Sequence, residues 1–112
     1  MRPDRGLPLL IQFAKSPVPG EVKSRMIPHL SPEEAMALHC ELVCRTARTL
    51  VNARLGQVQI AVAGDPSHAL FETCRSLGVS DITRQSGEGL GERMYRALQA
   101  GLEHHDAVVL VG

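Results

Sequence analysis

The stretch Leu9-Leu10-Ile11-Gln12-Phe13-Ala14-Lys15-Ser16-Pro17-Val18-Pro19-Gly20-Glu21-Val22-Lys23-Ser24-Arg25 decides how this chain reads. An apolar run of strand length, Leu7 to Phe13, feeds a proline- and glycine-rich loop carrying the cations Lys15, Lys23 and Arg25. Ligands of open α/β sheets bind outside the carboxyl ends of the strands. A loop of this composition after a first strand is therefore a candidate anion site. It matches neither the GxGxxG turn of dinucleotide folds nor the P-loop.

Working outward, Ser31-Pro32-Glu33-Glu34 reads as a helix start, with Ser31 as cap, Pro32 in the first turn and Glu34 closing a capping box. The helix is expected to reach about Leu55, with Gly56 ending it. Ala35, Met36, Leu42, Val43, Ala47 and Leu50 form its apolar face, and His39, on the same side, reads as a hydrogen-bonded core histidine. Val58 to Ala63 reads as a second buried strand. Gly64-Asp65-Pro66 turns it into a second helix, with Asp65 as the expected cap and Leu70, Phe71, Cys74 and Leu77 inward. Asp81 to Gln85 is a short third strand suited to an edge. Ser86-Gly87-Glu88-Gly89-Leu90-Gly91-Glu92-Arg93 then opens a third helix, packed through Leu90, Met94, Ala97, Leu98 and Leu102 and ending in a solvated His104-His105-Asp106. Val108 to Val111 is a fourth strand, apolar enough to be expected at the centre of the sheet.

The order β-α-β-α-β-α-β predicts an α/β fold. It is a mostly parallel, Rossmann-like sheet with helices on both faces, of about four strands and three helices. Residues 1–112 read as a single half-domain, the first half of a larger unit.

Bulk properties exclude several functions. The 112 residues carry zero formal net charge, so a nucleic-acid partner is not expected. Aromatic content of 3% makes base stacking a poor mode of recognition and the core aliphatic. No window approaches the roughly 20 apolar residues of a membrane span, and the start of the chain lacks a signal-peptide pattern. A cytoplasmic location is expected. Cys40, Cys44 and Cys74 lack zinc-type spacing and read as reduced, packed thiols.

Two glycine-containing loops should share the carboxyl rim. In the first, Gly20 permits close backbone approach, while Lys15, Lys23 and Arg25 could neutralise phosphates, arginine as a fork and lysine as a point charge. In the second, Gly87, Gly89 and Gly91 leave room for a ligand, and the helix start can hold an anion. Glu88 and Glu92 are expected to order Arg93 by a surface ion pair. No catalytic triad can be assembled, and no Asp-x-Asp pair follows an apolar strand. A dinucleotide fold is disfavoured by the absence of GxGxxG and because Asp65 is not placed within such a βαβ unit.

The segments Phe13 to Arg25, Pro28 to Ala35 and Gly87 to Met94, in this order, resemble a bacterial family of glycosyltransferase-A-like proteins described as nucleotide-diphospho-sugar transferases. The resemblance implies a fold similar to the sugar-phosphate nucleotidyltransferases and a nucleotide or nucleotide-sugar at the carboxyl rim. Lys15, Lys23 and Arg25 would then lie near the phosphates, and Gly87 to Arg93, including Glu88, near the base or ribose. It also implies Mg2+ or Mn2+ in intact homologues, on an acidic segment that does not follow Gly112 here, so this chain alone is expected to hold no metal. The implied activity is nucleotide-sugar-dependent glycosyl transfer or related nucleotidyl transfer. The alternative is a non-catalytic α/β module that binds a nucleotide or partner and could form a homodimer.

Overall fold

The computed structural model describes residues 6–18 and 29–112. Four strands, β1 (Leu9–Lys15), β2 (Gln57–Ala63), β3 (Asp81–Arg84) and β4 (Val108–Val111), alternate with three helices, α1 (Pro32–Ala53), α2 (Ala69–Leu77) and α3 (Gly89–Leu102). The strands form one parallel sheet in the order β3-β2-β1-β4. The chain steps outward from β1 to β3, then returns to the far side of β1. Crossovers of one hand consequently place α1 and α2 on one face and α3 on the other. β4 is thus an edge of this sheet and not its centre, while β1 and β2 are the inner strands.

β1 is buried on both faces, which its uninterrupted apolar run requires. Leu10 and Ala14 join Val58, Ile60 and Val62 of β2 beneath Val43 and Ala47 of α1 and Leu70, Phe71 and Cys74 of α2. Leu9 and Ile11 point the other way, with Phe13, Ala61, Ala97, Val108 and Leu110. The one polar residue inside β1 is Gln12, 3% exposed. Its Nε2 donates to the Val43 carbonyl (3.2 Å), while Oε1 has no partner among the described residues.

α1 begins as its sequence requires. Ser31 Oγ accepts from Glu34 N (3.1 Å), and Glu34 accepts in return from Ser31 N (3.0 Å). The Ser31 backbone N–H, with the Ser31 hydroxyl second, holds the Glu34 carboxyl below its usual range. Its end differs from expectation. Arg54, in the left-handed region at φ 53°, caps the helix, and Gly56 serves a different purpose. A Cβ on Gly56 would overlap the Pro8 carbonyl, so the glycine admits the chain entering β1. Leu42, expected inside, is 37% exposed. On α3, Leu90 and Leu102 are likewise exposed, and Gly101 is buried against Val108 and Leu9. His105 is not solvated. It is 7% exposed, with Nδ1 3.1 Å from the Leu7 carbonyl. No helix among the described residues is long and apolar enough to cross a membrane.

The α1–α2 seam holds the three thiols. Cys74 is wholly buried, and Cys40 and Cys44 pack against the same core. Burial, reinforced by the neighbouring Cys44 and Cys40, pushes the Cys74 thiol up to about 12. An unfolded thiol ionises near its ordinary value of about 8.5. Between there and pH 12 the unfolded chain therefore holds fewer protons than the folded one, and stability must fall as pH rises. The slope approaches at most about 1.4 kcal/mol per pH unit. Urea unfolding at pH 7.5, 9 and 10 should show this loss, and Cys74→Val should flatten it at a cost of under about 1.5 kcal/mol at neutral pH.

Candidate functional site

The carboxyl ends of β1 and β2 finish side by side, with Lys15 opposite Ala63. Ser16 N extends the ladder by donating to the Ala63 carbonyl (2.8 Å). Gly64 follows at φ 104°, and a Cβ there would lie 3.2 Å from Ser16 Cβ, so the two chains part only after a close pass. His39 Nε2 sits 2.7 Å from the Lys15 carbonyl and fixes this strand end to α1. Past the rim lies a cavity of about 340 Å³, lined by residues including Lys15, Ser16, Gly64, Asp65, His68 and Arg93. That volume is in the range of small-ligand sites.

Arg93 reaches the rim from α3 and is held from two sides. Its Nε donates to the Gly87 carbonyl (3.0 Å) and its Nη1 to Gln85 Oε1 (3.4 Å). Gln85 is itself tied to β2, through its backbone N to Val62 O and its Nε2 to Ala61 O (both 2.9 Å). The guanidinium is thereby referenced to the sheet, with Nη2 left without a partner among the described residues. The expected ordering of Arg93 by Glu88 and Glu92 is not what the structure shows. Glu92 pairs with Arg96 at 2.6 Å and accepts from the Glu88 backbone N–H at 3.1 Å. Gly87 carries φ 123°, which aims its carbonyl back at Arg93.

Asp65 and His68 also differ from expectation. α2 is capped by His68, whose Nδ1 accepts from Leu70 N (3.0 Å). A ring nitrogen that accepts is unprotonated, so in the neutral ring the proton is on Nε2. Asp65 instead closes a turn, its Oδ1 accepting from Ser67 N (2.9 Å) and Ser67 Oγ (2.7 Å). Those two bonds, the hydroxyl first, hold its carboxyl below the usual range and keep it ionised at neutral pH.

The structure thus brings Lys15 and Arg93 to one cavity. Gly87 supports Arg93 from behind, while Glu88, Gly89 and Gly91 are exposed at the start of α3 and do not line it. Gly20, Lys23 and Arg25 lie outside the described residues. Ser16, Gly64, Asp65 and His68 were missed as site residues. The available signal was Gly64-Asp65-Pro66 directly after an apolar strand, which was read only as a helix start.

Residues 46–112 match the model of a family described as "Uncharacterized protein conserved in bacteria (DUF2064)". The chain belongs to this family. No curated protein matches it. Among solved structures it is similar to a putative nucleotide-diphospho-sugar transferase from Desulfovibrio desulfuricans G20, at 26% identity and a TM-score of 0.72. That similarity covers 96% of this chain and 47% of the other, so the chain spans about half the length of the structure it matches.

In this DUF2064 member a larger cavity, about 620 Å³, runs along the α3 side of β2 and β3. α3 covers β1 and β4 but leaves Gln59 and Thr83 uncovered, which is why they are polar. Gln59 Nε2 donates to Thr83 Oγ1 (3.0 Å), so this floor satisfies itself. Among the described residues no group of three His, Cys, Asp or Glu side chains could hold a metal ion.

Gly87 and Gly91 make separable demands. At Gly87 a Cβ would meet Glu92 Cγ at 2.9 Å and Arg93 N at 3.2 Å, on a backbone that L-residues rarely adopt. Gly91 is helical with open space around it. Gly87→Ala should lose about 1–2 kcal/mol in urea unfolding and the slow exchange of the Arg93 Nε proton. Gly91→Ala should gain about 0.5–1 kcal/mol and leave that proton protected.

Proposed function

We infer that the rim of β1 and β2 is the nucleotide-diphosphate site of a transferase acting on a nucleotide-sugar or related nucleotide, and that this chain supplies the nucleotide-binding half. The observation that carries the reading is the meeting of Lys15 and Arg93 at one cavity, although 78 positions separate them in sequence. Two cations beside a concavity at the carboxyl ends of parallel strands suit a polyphosphate. The similarity to the Desulfovibrio protein supports a transferase over a simple anion-binding module.

The roles follow from side-chain chemistry. Arg93, fixed through Nε and Nη1, offers its remaining N–H groups as directed donors, whereas Lys15 contributes a point charge. In glycosyl transfer the nucleoside diphosphate is the leaving group, and cations already in place stabilise the charge it develops. In nucleotidyl transfer the same cations would hold the departing pyrophosphate. Lys23 and Arg25 belong to the same proposal as further neutralising charges on the loop after β1.

Calorimetric titration with UDP, GDP and CDP, and with the triphosphates plus Mg2+ or Mn2+, tests the assignment. At least one nucleotide should bind. Arg93→Ala should weaken it tenfold or more, because a hydrogen bond to a charged group is worth about 1.5–3 kcal/mol, and Lys15→Ala should weaken it less. Heat absent at millimolar concentration for every nucleotide, or binding indifferent to both substitutions, removes the site.

A further inference from the structure

Lys15 and Arg93 leave one feature of the rim unexplained. A site for a polyphosphate gains nothing from a carboxylate, yet Asp65 lines the same cavity. Asp65 is exposed, yet its side chain is held in place, since Ser67 N and Ser67 Oγ both donate to it. Both bonds end on Oδ1, and Oδ2 takes none among the described residues. The Asp65–Ser67 turn therefore fixes the carboxylate and leaves one oxygen with its accepting capacity intact.

Arg84 and His68 act on this carboxylate from the protein side, and from the ligand side it suits a neutral group rich in donors that adjoins the diphosphate. A sugar hydroxyl pair satisfies both conditions. Asp65 follows β2, next to β1 and on the opposite side of it from β4. In dinucleotide-binding sheets of this strand order an acidic residue beyond the first βα turn hydrogen-bonds the ribose 2′-OH; this chain lacks their glycine turn but has the same strand order. By its position in the sequence Asp65 does not fall within a dinucleotide-type βαβ unit. The fold returns it to that place despite the spacing.

We propose that Asp65 is a specificity-determining residue that accepts hydrogen bonds from the ribose hydroxyls of the bound nucleotide, so that the site takes ribonucleotides and discriminates against 2′-deoxyribonucleotides. This rests on the nucleotide-diphosphate reading above. The sugar on the distal phosphate of a nucleotide-sugar also carries hydroxyls, and nucleoside diphosphates, which lack that sugar, separate the two sources.

The test measures dissociation constants of the full chain for GDP and dGDP, for UDP and dUDP, and for inorganic pyrophosphate as a probe of the cations alone. The wild type should prefer the ribose form of the nucleotide it binds by about tenfold, the scale of a hydrogen bond to a charged acceptor. Asp65→Ala should reduce that preference below about threefold, with the loss falling on the ribonucleotide and not on pyrophosphate. Asp65→Asn keeps an acceptor for Ser67 N, so the turn survives, and it should lower the preference as well. Equal binding of ribose and deoxyribose forms by the wild type, or an undiminished preference in both variants, overturns the proposal while pyrophosphate binding still stands. A preference that follows the base rather than the sugar assigns Asp65 to the base and overturns it too. Should pyrophosphate and every nucleotide fail to bind, the cationic site itself is refuted and the ribose assignment with it.

Discussion

The structure depends on β1 lying between two strands and two cores. Seven residues pair with β2 and four with β4, all parallel, while successive side chains alternate between the α1–α2 core and the α3 core. A strand so enclosed can tolerate almost no polar group, because an unmatched one costs about 1–3 kcal/mol. Gln12 is the exception: its Nε2 bonds across to the backbone of α1 at Val43, while its Oε1 stays unmatched among the described residues. The same strand sets the function. Strand order reverses on its two sides, so the connections diverge and a crevice opens at its carboxyl end.

Positioning at that crevice is achieved mainly through backbone atoms. The Lys15 carbonyl receives His39, the Ser16 amide bonds to Ala63, and the Gly87 carbonyl receives Arg93. Backbone groups move only with their elements, so the cavity's lining inherits the rigidity of the sheet. A chain of zero net charge is also compatible with the anion site proposed at the rim. What matters is which charges the fold gathers within a Debye length, about 8 Å at physiological salt, and the rim gathers two cations and one fixed carboxylate. Elsewhere three arginines pair locally, Arg45 with Glu41, Arg75 with Glu72 and Arg96 with Glu92.

The elements themselves were legible in the sequence because their signals are local. The capping box at Ser31, the apolar runs of β1 and β2 and the glycine before α3 each identify an element without reference to the rest of the chain. Misreadings arose where tertiary context chose between local options. Gly56 looks like a helix terminator, but Pro8, distant in sequence, is what needs its missing side chain. Asp65 looks like a cap, yet its nearest strong donors belong to Ser67, and His68 takes the cap instead. Two histidines after α3 look solvated, but Leu7 supplies an acceptor for His105. At the site, Lys15 and Arg93 were nameable as cations in glycine-bearing loops. That they face one cavity required the strand order, and no spacing in the sequence encodes it.

The two cavities show why volume alone does not identify a site. The larger exists because α3 is centred over β1 and β4, leaving the α3 side of β2 and β3 uncovered. Its floor is populated accordingly: Gln59 is matched to Thr83, and Gln85 to Ala61 and Arg93. Polar groups matched to one another have little to gain from a ligand, since binding must first break those bonds. The smaller cavity has the opposite character. Arg93 Nη2 and Asp65 Oδ2 lack partners among the described residues, and both belong to groups already immobilised through their other atoms. The ordering cost of those two side chains has been met in folding, so a ligand offering an anion to one and hydroxyls to the other would gain interaction without that loss. Preorganised, unmatched polarity distinguishes the rim from the groove, and it follows from where β1 ends.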